Sequence, residues 1–157
     1  MGRLRLFGEL LEAGGAAEGG GGAGGSGSGL QVARVVRTAG DYQTTSQSFV
    51  DIDTANLVIN MTTGAGWVYL LLAGAVYVSS IQYGFFDFTI DGQLQGGAKG
   101  IQQVQPPYTQ DIQITWLAQV AAGSHIFRPQ WRVLGGGALL RASSPESPTL
   151  FAAIELE

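Results

Sequence analysis

The chain has 157 residues, a net charge of −4 and no cysteine. Its eight basic residues form no cluster, so the sequence lacks the basic face with which nucleic-acid-binding proteins neutralise phosphates. Without cysteine, the chain forms neither disulfides nor thiolate metal sites. We therefore expect no nucleic-acid partner, and the 45% of hydrophobic residues indicates a globular domain with an ordinary core.

The sequence also predicts no membrane partner. The longest apolar run is the twelve-residue stretch Trp67–Val78, which is too short to cross a bilayer as a helix. Glu9 interrupts the apolar N-terminal stretch, whereas a signal peptide needs an unbroken apolar region. The long apolar run is therefore interpreted as a core strand.

Residues 1–29 form an N-terminal arm, which consists of an anchor (residues 1–11) and a glycine-rich linker (residues 12–29). Ten of the eighteen linker residues are glycine, so the linker has few side chains to bury and a high entropic cost of ordering. The composition predicts an extended tether that only an external surface would hold in place. We expect the anchor to bind a partner through Arg3, Leu4, Arg5, Leu6, Phe7, Leu10 and Leu11.

Residues 30–157 carry the patterns of one β domain. Apolar alternation or β-branched enrichment predicts strands in the stretches "QVARVVR", "NLVINM", "WVYLLLAGAVYV", "FFDFTID", "DIQITWL", "GSHIFRPQWRV" and "TLFAAIEL". Asp91-Gly92 supplies a hairpin turn after the fourth of these. No stretch of twelve residues predicts a helix, and about eight short strands without helices indicate a sandwich or barrel.

The alternation also predicts which side chains face the core. The large inward-facing residues are predicted to be Phe88, Trp116, Phe127 and Trp131. Pro129 cannot donate to a strand ladder, so its strand is predicted to be at a sheet edge or bulged. Two strands, Trp67–Val78 and Thr149–Leu156, carry more apolar residues than one inward face needs. Their second faces are therefore expected to be buried between subunits.

His125 is the only histidine and follows Ser124, but this adjacency does not make a catalytic triad. A nucleophile and its base must meet in space, and a third group must orient the base. A packed or hydrogen-bonded histidine is the simpler prediction. Asp87 and Asp91 would be the acid–base pair of an enzyme, but the first is mid-strand and the second in a turn, so we predict a solvated face and a turn former.

The stretch "DIDTAN" at residues 51–56 has the alternating acids of a calcium loop. However, the loop pattern requires Asn or Asp at position 55 and Gly at position 56, where this chain has Ala55 and Asn56. Alternating acids at a strand end are the simpler interpretation. We therefore expect no metal site, no cofactor, no catalytic residue and no enzyme activity.

Three stretches taken together resemble a known family: "TTSQSFVDIDTANLVINMTTGAGWVYLLLAG", "FFDFTIDGQLQGG" and "AAGSHIFRPQWRVLGGGALLRA". Their order and spacing are similar to the compact jelly-roll domains of phage virion proteins, which are themselves similar to tumour-necrosis-factor and complement head domains. The resemblance covers Thr44–Leu156. It implies an all-β fold, an antiparallel jelly-roll sandwich of about eight strands, and a homotrimer around a three-fold axis.

Two functions are compatible with this resemblance. The first is a capsid decoration protein that binds the major capsid protein on the outer surface of the virion, with contacts between neighbouring decoration trimers possible. The second is the head of a tail or head fibre, which recognises a host-surface glycan or protein. Tyr42, Tyr83 and Tyr108 in or near the predicted loops are candidates for stacking on sugars, but local packing is the simpler prediction for scattered loop aromatics. A fibre head usually follows a long shaft, and only 29 residues precede this domain, so we favour the decoration protein.

Overall fold

A computed structural model describes residues 30–78, 83–105, 109–135, 138–141 and 148–156. The arm therefore lies outside the described residues. In chain order the strands are β1 Val32–Arg37, β2 Tyr42–Thr44, β3 Val50–Asp51, β4 Ile59–Thr63, β5 Gly66–Val78, β6 Gly84–Ile90, β7 Gln93–Leu94, β8 Gln102–Val104, β9 Thr109–Val120, β10 Gly123–Val133, β11 Ala138–Arg141 and β12 Thr149–Leu156. A short 3-10 turn, Gly97–Lys99, lies between β7 and β8.

Two antiparallel sheets pack face to face. Sheet 1 has the strand order β1-β12-β5-β9, and β11 and β2 extend it beyond the end of β12. Sheet 2 has the order β4-β10-β6-β8, and β3 and β7 continue its two edges. This pairing makes a jelly-roll sandwich of eight principal strands and confirms the predicted fold class. No helix in the described part of the chain is long and apolar enough to cross a membrane.

The core lies between the sheets and is centred on aromatic residues of sheet 2. Phe88, Phe127 and Trp131 are at most 1% exposed, which confirms three of the four predicted core residues. Phe88 stacks on Phe151 of sheet 1, with 5.9 Å between ring centroids. Trp116 is only partly buried and packs against the core from β9, which pairs with β5 alone among the described strands.

Asp87 does not lie on a solvated face, so that prediction is wrong. Its side chain is on the outer face of β6, and the residue is only 1% exposed. The segment after β7 folds over this face, and the Gly96 backbone N–H donates to both carboxylate oxygens of Asp87, at 2.9 and 3.1 Å. Burial raises the pKa of the Asp87 carboxyl, and backbone hydrogen bonds from Phe88 and Gly96 act in the opposite direction.

Pro129 lies in an interior strand, which corrects the prediction of an edge or bulged strand. β10 has β6 on one side and both β4 and β3 on the other. Pro129 falls in the interval between the residues of β10 that pair with β4 and those that pair with β3. Its carbonyl accepts the Ile52 N–H at 3.1 Å. The position therefore needs an acceptor but no ladder donor, which proline satisfies.

The strand phase of β10 can be tested by truncation. We expect Phe127→Ala to lower the free energy of unfolding by about 3–5 kcal/mol, because a fully buried ring leaves a cavity. Ile126→Ala, at the neighbouring 40%-exposed position, should change it by less than about 0.5 kcal/mol. Denaturant unfolding at equal protein concentration measures both values. Equal losses at the two positions would show that the strand phase is wrong by one residue.

Candidate functional site

Strand β5 carries apolar side chains on both of its faces. Val68, Leu70 and Leu72 point into the core and are fully buried. The alternate residues Trp67, Tyr69 and Leu71 point away from the core, on the outer face of sheet 1. A strand in a two-layer sandwich needs only one apolar face, so the second set requires a separate explanation.

The strand register extends this second set across the sheet. Ile154 lies opposite Tyr69, which in turn lies opposite Leu117 of β9, and Val32 of β1 lies opposite Ile154. We call this surface the outer apolar face. Arg34, Thr115 and Gln119 also lie on it, and its apolar members are Val32, Val36, Trp67, Tyr69, Leu71, Leu117, Leu150, Ala152, Ile154 and Leu156.

Several large side chains of the outer apolar face are open to solvent. Trp67 is 46% exposed, Leu117 is 47% exposed and Val36 is 50% exposed. Leu71, Ala152 and Ile154 of the same face are at most 7% exposed, so the solvent-exposed apolar side chains surround a buried centre. Exposed large apolar side chains grouped on one face mark a candidate interaction site. The outer face of sheet 2 differs in character, because along β10 it presents Ser124, Arg128 and Arg132 around the single apolar residue Ile126.

The outer apolar face ends in a shallow hollow. Ala73 and Ala75 of β5 form its floor, and Asp111, Gln113 and Pro148 border it, with a volume of about 400 Å³. The hollow exists because β5 has small residues at this end, whereas the other end carries Trp67 and Tyr69. The surface thus combines protruding apolar side chains with a recess, a shape suited to a protein partner.

His125 is hydrogen-bonded through both ring nitrogens, as the sequence predicts for a histidine without a catalytic role. Its Nδ1 lies 2.7 Å from Oδ2 of Asp91, and its Nε2 lies 3.0 Å from the carbonyl oxygen of Ala121. The Ser124 hydroxyl instead lies 3.0 Å from that of Thr62. Asp91 was not identified as the partner of His125 because only the pairing of β6 with β10 brings these two residues together.

The acids of the stretch 51–56 have separate partners. The Asp51 carboxylate accepts from Arg128 Nη1 at 3.0 Å and also from Gln130. Asp53 closes its own turn by accepting the backbone N–H groups of Ala55 and Asn56 at 2.8 and 2.9 Å. Among the described residues, no three His, Cys, Asp or Glu side chains group together in a way that could hold a metal ion.

The described loop tyrosines have protein contacts. Tyr42 accepts a hydrogen bond from Arg37 Nε at 3.1 Å, and the ring of Tyr83 lies 6.4 Å from that of Phe85. Tyr108 lies outside the described residues. The same is true of the predicted anchor residues, which are Arg3, Leu4, Arg5, Leu6, Phe7, Leu10 and Leu11.

Arg132 is a structural residue that the sequence patterns did not single out. Its guanidinium lies 4.4 Å from the ring centroid of Phe85 and 5.2 Å from that of Phe49. Its Nη2 donates to the carbonyl of Ala98 at 2.7 Å. Arg132 therefore ties two connecting segments to sheet 2, and alternation along β10 shows only that it faces outward.

No family model and no curated protein matches the chain. Solved structures do match it, and one is a chain from the crystal structure of the T13 IBDV viral particle. That chain is 13% identical with a TM-score of 0.34, and the match covers 80% of this chain and 35% of the other. This protein therefore spans about a third of the length of the viral-particle chain that it matches.

Proposed function

We propose that this protein is a structural, non-enzymatic component of a phage virion. In this proposal it is a trimeric decoration protein on the outer capsid surface, where its arms bind the major capsid protein and stabilise the lattice. The observation that carries the proposal is the outer apolar face of sheet 1, where large apolar side chains such as Trp67, Leu117 and Val36 are exposed. The jelly-roll fold and the sequence resemblance to virion domains agree with this role.

A second and a third copy of the chain are the occupants that we propose for the outer apolar face. Most soluble homo-oligomers have closed symmetry, and the family resemblance favours a three-fold axis. The face is nearly free of charge along its centre, where Tyr69, Ile154 and Leu117 lie side by side. Association would remove Trp67 and Leu117 from water at little desolvation cost.

The arm is the part of the chain that we propose for capsid attachment. Five of the eleven anchor residues are Leu or Phe, and two more are Arg. An eighteen-residue linker, if fully extended, reaches roughly 60 Å, far enough to connect neighbouring subunits of a lattice. Three arms on one trimer would bind at high effective concentration, so the trimer would bind tightly although each anchor contact is modest.

A charge on the outer apolar face should prevent self-association. We expect Leu117→Lys to remain folded, because the side chain is exposed, but to shift the protein from trimer to monomer at micromolar concentration. The matched control is Ile126→Lys, which places the same charge at a similarly exposed site on sheet 2. Light scattering of the full chain measures both masses. A trimeric Leu117→Lys variant, or a monomeric wild-type protein, would contradict the proposed interface.

Removal of the arm should separate folding from attachment. We expect the chain lacking residues 1–29 to remain folded and trimeric, because the described sheets are complete without it, but to bind capsids poorly. The double substitution Phe7→Ala and Leu10→Ala should have the same effect while keeping the linker intact. Incubation with undecorated capsids, followed by a count of bound copies, measures the occupancy. Full occupancy at wild-type concentration would show that the jelly-roll domain alone binds, and would favour the fibre-head alternative.

A further inference from the structure

One end of the sandwich holds a small polar cluster that the proposed function does not use. Asp91 occupies the turn after β6 in a left-handed conformation (φ 51°), and Gly92 follows at φ 81°. The Asp91 N–H donates to the carbonyl of Ile126 at 2.9 Å, and Asp91 Oδ1 accepts the N–H of Ile126 at 2.8 Å. The other carboxylate oxygen, Oδ2, lies 2.7 Å from Nδ1 of His125.

The second nitrogen of His125 points to a different turn. Nε2 lies 3.0 Å from the carbonyl oxygen of Ala121, in the turn between β9 and β10. The same carbonyl accepts the hydroxyl of Thr63 at 3.2 Å, at the end of β4. Three strand connections thus meet around one imidazole: the β6–β7 turn, the β9–β10 turn and the β4–β5 connection.

Both partners of the imidazole are hydrogen-bond acceptors. An ionised carboxylate and a backbone carbonyl have no proton to donate, so each ring nitrogen must carry a hydrogen to satisfy both contacts. A neutral imidazole has only one N–H and would place a ring lone pair against one of the two oxygens. The observed arrangement is therefore complete only when His125 is the imidazolium cation.

We propose that His125 is a pH-sensitive clasp, which joins the β6–β7 and β9–β10 turns when it is protonated and releases one of them when it loses its proton. Loss of the proton leaves the ring with one hydrogen bond in place of two, so either Asp91 or the carbonyl of Ala121 loses its hydrogen bond to His125. The backbone pairing of Asp91 with Ile126 remains in both states, so the change is confined to the turns.

The charges around the ring set the pH range of the clasp. The β6–β7 turn contributes Asp91, β4 places the uncharged Met61 opposite His125, and on β10 the ring of Phe127 lies 6.1 Å away. Of these groups only Asp91 is charged. Its hydrogen bond, followed by that to Ala121, raises the pKa of His125 above the ordinary 6.5, and the pKa of Asp91 is correspondingly lowered.

The sign of the pH dependence follows from these directions. The stabilisation from His125 is fully present below pH 6.5 and is lost as the pH rises through its raised pKa. The contribution of Asp91 is present above its ordinary value of 3.8 and is lost as the pH falls through its lowered pKa. The clasp is thus closed from mildly acidic pH up to the pKa of His125, and it opens above that value.

The clasp lies close to the point where the arm joins the domain. Residue 30 joins the domain at this end, where the Glu155 N–H donates to the carbonyl of Gln31 at 2.9 Å. The Glu155 carboxylate in turn accepts the N–H of Gly64 at 2.6 Å, directly after Thr63. Opening of the clasp removes a constraint next to the root of the arm.

NMR titration of the full-length protein tests the proposal. The chain has a single histidine, so the signals of its ring nitrogens can be assigned without ambiguity. We expect a titration midpoint above about 6.5 in the wild type, with both ring nitrogens protonated below it. Asp91→Asn should lower the midpoint, because it removes the larger of the two contributions that raise the pKa of His125 and leaves only that of Ala121. Asparagine tolerates the left-handed turn conformation, so this variant should keep the fold. A wild-type midpoint at or below the ordinary value, or an unchanged midpoint in Asp91→Asn, would overturn the proposal.

Amide hydrogen exchange provides an independent measurement of the turns. Above the midpoint of His125, the protection factors of Gly123 and Gly92 should fall several-fold, after correction for the intrinsic pH dependence of exchange. The matched control is His125→Gln, which cannot titrate and should show protection independent of pH at these amides. Equal pH dependence in the wild type and in His125→Gln would show that the histidine does not act as a clasp.

Discussion

The fold depends on strand β5, which is hydrogen-bonded along both edges. Its thirteen residues pair with β9 over almost their whole length on one side, and with β12 and then β11 on the other. Sheet 1 therefore cannot form without β5. Because β5 is apolar on both faces, the strand that organises the core also determines the character of the opposite surface.

The outer faces of the two sheets differ in whether the chain itself covers them. The outer face of β6 is covered by the chain itself, in the segment from β7 to β8, where the Ile101 N–H donates to the carbonyl of Phe86 at 2.8 Å. Gly100 permits this close approach, since a Cβ there would lie only 2.4 Å from the same carbonyl oxygen. No described segment covers β5 in the same way. The chain thus supplies its own cover for sheet 2, whereas Trp67 and Leu117 of sheet 1 are exposed.

The sequence predicted those features that depend on local alternation. The inward set of β10 with Phe127 and Trp131 followed from period two, and the turn at Asp91 followed from the Asp-Gly pair. Features that depend on pairing between distant strands were not predictable. The burial of Asp87 requires the segment after β7 to cover it, which alternation cannot reveal. The interior position of β10 depends on β3 and β4, which are short strands that pair with different parts of the same edge of β10. For β5, apolar residues on both faces left the inward set undetermined, and burial of the second face between subunits stays a prediction.

In the function that we propose, the outer apolar face and the arm would depend on each other energetically. Burial of an anchor side chain contributes roughly 1.5–3 kcal/mol, whereas fixing the backbone of each linker residue costs about 1–2 kcal/mol. With eighteen linker residues and five apolar anchor residues, a single arm cannot order its whole linker by anchor burial alone. In the proposed function, attachment would be favourable only if most of the linker stays unfixed or pairs its backbone with the partner, so each arm would bind weakly. Association through sheet 1, as proposed, would join several weak arms in one particle and would make the second and third attachments effectively intramolecular.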